Sequence, residues 1–489
     1  MIAQVVRIER DTHGVSDPFV AEQAWRDGDV IGAIEAADRA LAADTDTDGR
    51  AAGVAAAGAA ADGALLDAAA RWRGVGSALD GAAAARAAGR AALAAALAGD
   101  VAAAVDDLST AQEQLPNPAP RGLTVLLGGA GVVVEAMEGA LERAARHLTG
   151  LAAASVAPDP MAAERLDELA VTVTAAGGDI EAARALMNAL PGTPTRRGRL
   201  LGAWLDMRTG HPGAAREALT GMAGTPVLRR DALLAAAVTV GLARRSGDTA
   251  AIAATWARVA PVVAGADVEL LLLDVWGELS VVAEQMSPTD RDLIVDAMRT
   301  ALDRAGSPWW AVAADRWWQL ERAVVAEEPA AAAATAAALD TLATEYPQLR
   351  GRADAAAAWA AVLAGRVCPA MVDAAAARLA DAGLRGEAAD LCRAAAQRAT
   401  DPAATRRLLG AGRGLLPGTG GSGRAPGLLS EREREVGALV VDGLTQKEIG
   451  ARLYISPKTV EQHVARMRQK LAASNRAGLV AALRTQLGL

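Results

Sequence analysis

Near the C-terminus Val460, Val464, Met467 and Leu471 recur at i, i+4, i+7 and i+11, the spacing of one apolar helical face. The opposite face carries Lys458, Gln462, Ala465 and Gln469, flanked by Glu461 and Arg466. Lysine and glutamine offer hydrogen-bond groups of the kind that read base edges, and a helix is the width the major groove admits. Ser456 caps the helix start and Pro457 occupies its first position, so backbone amides there can meet a phosphate. The chemistry predicted is recognition of double-stranded DNA rather than bond making. His463 lies beside the stripe and is read as partly buried, and Arg432 and Arg434 fit solvated surface as well as phosphate contact.

Three further short helices must position that one. Ser430 caps the first, with Glu433 as its reciprocal partner, Val436, Leu439 and Val440 as the buried stripe and Gly443 as the stop. Thr445 caps the second, with Glu448 three residues on and Ile449 and Leu453 facing inward; Tyr454 and Ile455 make the turn. A fourth helix follows Ser474, with Val480, Leu483 and Leu487 inside. Charge divides the chain at the same place. Residues 429–489 hold 10 basic and 6 acidic side chains, net +4, and all three lysines. Residues 1–428 hold 40 arginines and 52 carboxylates, net −12, so the bulk repels nucleic acid and the tail attracts it.

The motifs LSEREREV, GLTQKEIGARLYIS and PKTVEQHVARMRQKL, followed by SNRAGLV, resemble the LuxR-type (NarL/FixJ-like) helix-turn-helix family, over about 60 of 489 residues. The resemblance implies a transcriptional regulator that binds duplex DNA, acts with RNA polymerase at promoters, and forms homodimers through the fourth helix. Carried over by position, it implies phosphate contacts at Lys447, Thr459, Arg466, Lys470 and Arg476, and base-facing positions at Glu461, Gln462 and Ala465. Well-known members are basic where this chain has Glu461 and Ala465, so the DNA sequence read does not carry over. Large regulators of this kind often add an ATPase and a helical repeat region. No lysine precedes Lys447, so a GxxxxGK[ST] phosphate loop is excluded from residues 1–446, and GGAG at Gly128 is no substitute. A phosphoacceptor receiver domain is disfavoured too, for want of an α/β pattern.

The remaining chain is alanine-rich, with ten Trp, two Tyr and only Phe19 as further aromatics, a composition that favours helices over strands. A glycine turn followed by an amphipathic segment recurs from Gly28, Gly99, Glu138, Gly178, His211, Gly247 and Gly383. The spacing from Gly99 to Gly247, 33 to 40 residues, is that of tetratricopeptide-type hairpins. The 71-residue gap before it leaves room for one hidden copy, and the 136-residue gap after it shows none. The expectation is an all-α superhelical array of helical hairpins (tetratricopeptide-like) over residues 1–413 with a concave surface, a Gly/Pro linker over 414–428, and a four-helix DNA-binding domain over 429–489. Within each copy glycine ends one helix and Asp caps the next; Ile180, Ala183 and Met187 form a buried stripe, with Arg184 at its edge.

One cluster stands apart: SPWWAVAADRWW, with Trp309, Trp310, Trp317 and Trp318 beside Asp315 and Arg316. Two readings are open. The rings fill gaps between small-residue helices, or they wall a site for a small-molecule effector such as a sugar. The array would then sense an effector or a protein partner; the alternative is an interaction scaffold tethered to DNA. No Ser/His/Asp set, paired histidines or metal cluster is readable, and a charged solvent face accounts for the acidic residues, so neither enzyme chemistry, nor a cofactor, nor a metal is expected. Cys368 and Cys392 predict no disulfide framework. No signal peptide or bilayer-length apolar run is present, which predicts a cytoplasmic protein associated with the chromosome and not with a membrane.

Overall fold

A computed structural model of the chain describes residues 17–154, 159–190, 194–222, 228–263, 266–416, 431–441, 443–453, 460–461, 464, 467–468, 471, 478–480 and 483–484. Among them the regular structure is helical and no strand occurs. The chain divides into two compact units, Met1–Leu415 and Leu416–Leu489.

In the first unit antiparallel helices alternate between two layers. Outer helices bury a single stripe. Ile180–Ala189 buries only Ile180, Ala183 and Met187, while Arg184 at the edge pairs with Asp206 at 2.7 Å. Inner helices are buried on nearly every side. Leu273–Met286 buries an unbroken run from Val275 to Ala283, and Gly81–Leu97 one from Ala91 to Leu97. Alanine and glycine let these helices approach closely. A Cβ on Gly277 would lie 2.1 Å from the Trp318 ring, so a large ring on one helix is matched by no side chain on its neighbour.

The turns follow the recurring pattern. At Gly99 and Gly178 φ is +81° and +92°, a left-handed geometry that glycine adopts without strain. Asp100 and Asp179 then cap the next helices by accepting from the Ala103 and Ala182 amides at 3.2 and 2.9 Å. The 71-residue gap contains such a turn at Gly63, with φ +89°, leading into Leu65–Ser77. The 136-residue gap is also filled with hairpins: Gly306 and Gly365 take φ +72° and +74° without a following aspartate, and other turns are written without glycine. Ser287–Pro288 and Glu328–Pro329 place proline in the first turn of the next helix, and Glu327 takes φ +54° where glycine stands elsewhere. The array ends on Pro402–Leu415, which includes Gly414 and Leu415, two residues that glycine content assigned to the linker. Gly412 explains the extension: it is buried, and a Cβ there would approach Cys392 Cβ to 3.2 Å, so the glycine serves packing within a helix.

Successive superhelical turns touch. The Arg229 amide donates to Asp62 at 2.8 Å, the Leu66 amide to Asp267 at 2.9 Å, Arg304 to the Ala98 carbonyl at 2.8 Å and Trp310 to the Ala136 carbonyl at 3.1 Å. These partners stand 167 to 206 residues apart in sequence. The carboxylates assigned to solvent include a buried set. Arg197 and Arg230 share Glu164 and Glu269. Arg244 and Arg245 hold Glu278 at 2.8 and 3.1 Å, and Arg245 and Arg208 hold Glu387. Sequence periodicity failed here because alanine forms the apolar stripe and the charges occupy the inner edge beside it.

Burial pushes the Glu168 carboxyl up to about 7, aided by Glu164 beside it, and burial does the same for Glu321, despite Arg244 and aided by Glu387. Both groups bind protons more tightly folded than at the ordinary value of 4.5. The folded state therefore holds more protons between pH 4.5 and 7, and stability falls as pH rises through that window. Thermal unfolding should begin at lower temperature at about pH 8 than at about pH 6, and Glu168→Gln with Glu321→Gln should flatten that dependence. An unchanged slope in the double variant refutes the assignment.

Candidate nucleic-acid interface

The second unit is built on a small apolar core. Val436 and Val440 from Glu431–Val441, Ile449 from Gln446–Leu453, and Val460, Met467, Leu479 and Leu483 are buried together. Leu439, Val464, Leu471 and Val480 pack around them, partly exposed. Leu479 is a core residue that the sequence pattern missed, because it sits next to the predicted Val480. Gly437 was missed too. It lies under Leu483, whose Cδ2 would be 2.9 Å from an added Cβ, so the first helix has no side chain at the crossing.

The second helix begins with a complete reciprocal cap. The Glu448 amide donates to Thr445 Oγ1 at 3.3 Å, while the Thr445 amide and hydroxyl donate to Glu448 Oε2 at 2.8 and 2.7 Å. Those bonds hold the Glu448 carboxyl below its ordinary range. Gly443, at φ +87°, makes the preceding turn. Lys447 follows the cap, exposed, with no ion pair among the described residues.

Val460, Glu461, Val464, Met467 and Arg468 are helical. Val460 and Met467 are fully buried, seven residues apart, and Glu461 and Arg468 are exposed beside them. The underside of the third helix is thus where its periodicity put it. Arg452, Arg468 and Arg484 are exposed cations that sequence reasoning did not single out. Lys458, Thr459, Gln462, Ala465, Arg466, Gln469, Lys470 and Arg476 lie outside the described residues, as do Ser456, Pro457, His463, Ser474 and Leu487. The side chains of Arg432, Glu433, Arg434 and Leu453 lie outside them as well.

In the first unit the tryptophan cluster divides. Trp310, Trp317 and Trp318 are buried. Trp318 donates to Asp274 at 2.7 Å, and the Arg208 guanidinium lies 5.4 Å from the Trp204 ring centre and 5.6 Å from that of Trp318. Asp315 and Arg316 are joined through Gln319, at 2.7 and 2.8 Å. Trp309 stacks on Tyr346 at 4.9 Å and, with Trp310, borders a small cavity of about 70 Å³. Gly178, Leu349, Arg352 and Arg378 are among its walls, and Asp315, Arg316, Trp317 and Trp318 do not reach it.

The family described as bacterial regulatory proteins, luxR family, matches residues 427–483. Spore germination protein GerE of Bacillus subtilis is 46% identical over 56 residues, which are 12% of this chain and 76% of GerE. The probable transcriptional regulatory protein NarL of Mycobacterium tuberculosis is 46% identical over 61 residues, 28% of its length. A putative HTH-type transcriptional regulator of Mycobacterium bovis, Mb0914c, is 42% identical over 57 residues, but the match spans 6% of that protein.

Proposed function

The chain belongs, through its C-terminal domain, to the luxR family of bacterial regulatory proteins, and from that membership we propose how a DNA-binding transcriptional regulator of this build works. The observation that carries the reading is the second unit's core, which buries Val460 and Met467 while Glu461 and Arg468 beside them stay exposed. Lys458, Glu461, Gln462, Ala465 and Gln469 face bases, and Lys447, Thr459, Arg466, Lys470 and Arg476 meet phosphates. The exposure of Lys447 and Glu461 supports this. The protein works in the cytoplasm on the chromosome, dimerises through its fourth helix and acts with RNA polymerase. Among the described residues no helix is long and apolar enough to cross a membrane.

The tetratricopeptide-like array serves as the sensor, and its effector enters the cavity beside Trp309 rather than the buried Trp317–Trp318 pair. Neither ATP hydrolysis nor other catalysis is part of this reading. Lys447→Ala should weaken binding to all duplexes alike and lower the salt slope by about one. Gln462→Ala should change preference at one base pair by about 1–3 kcal/mol. Binding competition against random duplex measures both, and equal loss on specific and random DNA from both variants refutes the assignment of faces.

A further inference from the structure

The cavity at the seam between superhelical turns is lined by a cation that has no partner among the described residues. Arg352 lies on the inner helix Arg350–Leu363 and lines the cavity together with Trp309, Gln348, Leu349 and Leu379. Its guanidinium makes no hydrogen bond or ion pair among the described residues. Burial pushes its pKa below the ordinary arginine value, and Asp274 opposes that shift only through space. Asp274 is already engaged by Arg208 at 3.0 Å and by Trp318 at 2.7 Å. Arg208 adds a repelling positive charge, and Glu387, the other carboxylate acting on Arg352, is held by Arg208 and Arg245. Arg378, at the same cavity, is paired with Asp354. Arg197, Arg208, Arg230, Arg244 and Arg245 by contrast each pair with at least one carboxylate. Arg352 is partly exposed at this cavity, and the planar fork of a guanidinium matches a carboxylate in two parallel bonds.

We propose that this cavity binds a small organic carboxylate, with its anionic head on Arg352 and its apolar body against Leu349, Leu379 and the Trp309 edge. The proposal deepens the sensor reading and rests on it for any effect on DNA. Gln348, exposed at the cavity wall, is placed to donate to the second carboxylate oxygen. The position gives such a ligand leverage. The cavity joins the end of Leu166–Ala176 to Trp309–Val325 and Arg350–Leu363, so a ligand there ties one superhelical turn to the next.

The test uses the full chain and three probes, acetate, butyrate and benzoate, with benzamide and inorganic phosphate as comparisons. At least one carboxylate should raise the unfolding temperature in a saturable way. Arg352→Gln should weaken that binding at least about tenfold, as should Ala382→Leu, which narrows the cavity without touching charge. Without ligand Arg352→Gln should unfold at the same or a higher temperature than the parent, because it removes a charge that nothing pairs. Lower stability of unliganded Arg352→Gln, no response to any carboxylate, or equal response to benzamide overturns the site. A response to phosphate alone overturns the organic ligand. Duplex binding measured in the same samples separates the two readings: a carboxylate that binds without changing DNA affinity leaves the site standing and removes the sensor role.

Discussion

Raising salt from about 50 to about 200 mM will lower the affinity of the chain for duplex DNA by about 150-fold. Five phosphate contacts are proposed, at Lys447, Thr459, Arg466, Lys470 and Arg476, and each neutralised phosphate contributes a slope of about −0.9 in log affinity against log salt. Thr459 is neutral, so only the four cations count toward the loss. The first unit, at net −13, is expected to add little to the slope. A filter-binding or anisotropy series over that range decides the matter, and a loss below about tenfold would sink the phosphate set. A dimer on two half-sites doubles the slope, so the same series also reports whether two copies bind together.

What the sequence disclosed depended on whether one residue type had one structural use. Glycine followed by aspartate fulfils two needs at once, a left-handed stop and a side-chain cap, so Gly99–Asp100 and Gly178–Asp179 were legible from spacing. Thr445 and Glu448 were legible for the same reason, since each satisfies an orphan amide of the other's backbone. In the 136-residue gap the glycine turns at Gly306 and Gly365 lack the following aspartate, and those at Ser287–Pro288 and Glu327–Pro329 use residues that also occur inside loops and on surfaces, so the gap read as empty. Alanine hid the layers. A stripe of Cβ atoms has almost the same pattern on an outer helix as on an inner one, and only the second turn of the superhelix shows that Arg208 and Glu278 face inward. Trp309 and Trp310 are adjacent in sequence, yet one borders a cavity and the other donates to Ala136 across the seam.

The seam between turns should be the weakest point of the array when one charge is removed. Arg208 is fully buried, pairs with Glu387 at 2.6 Å and with Asp274 at 3.0 Å, and lies between two tryptophan rings. Glu387 sits on Arg385–Arg398, the inner helix one superhelical turn later, and is 2% exposed. Glu387→Ala leaves Arg208 and Arg245 with fewer carboxylates in a site that water does not enter, at a cost of about 3–5 kcal/mol. For a unit of this length that is a fall of about 5 °C in the unfolding midpoint. The opening should be local first, so hydrogen exchange should accelerate in Arg196–Arg208 and Arg385–Arg398 before the outer helices respond. Replacing both partners, Arg208→Met with Glu387→Leu, removes the Arg208–Glu387 pair and leaves Asp274 with Trp318 as its donor, so it should recover part of the loss. If the double variant is no more stable than Glu387→Ala, the seam is held by packing of Trp204 and Trp318 rather than by the ion pair. The same comparison bears on control of the array. A seam held by charge can be tightened by one added anion at Arg352, whereas a seam held by rings has no use for it.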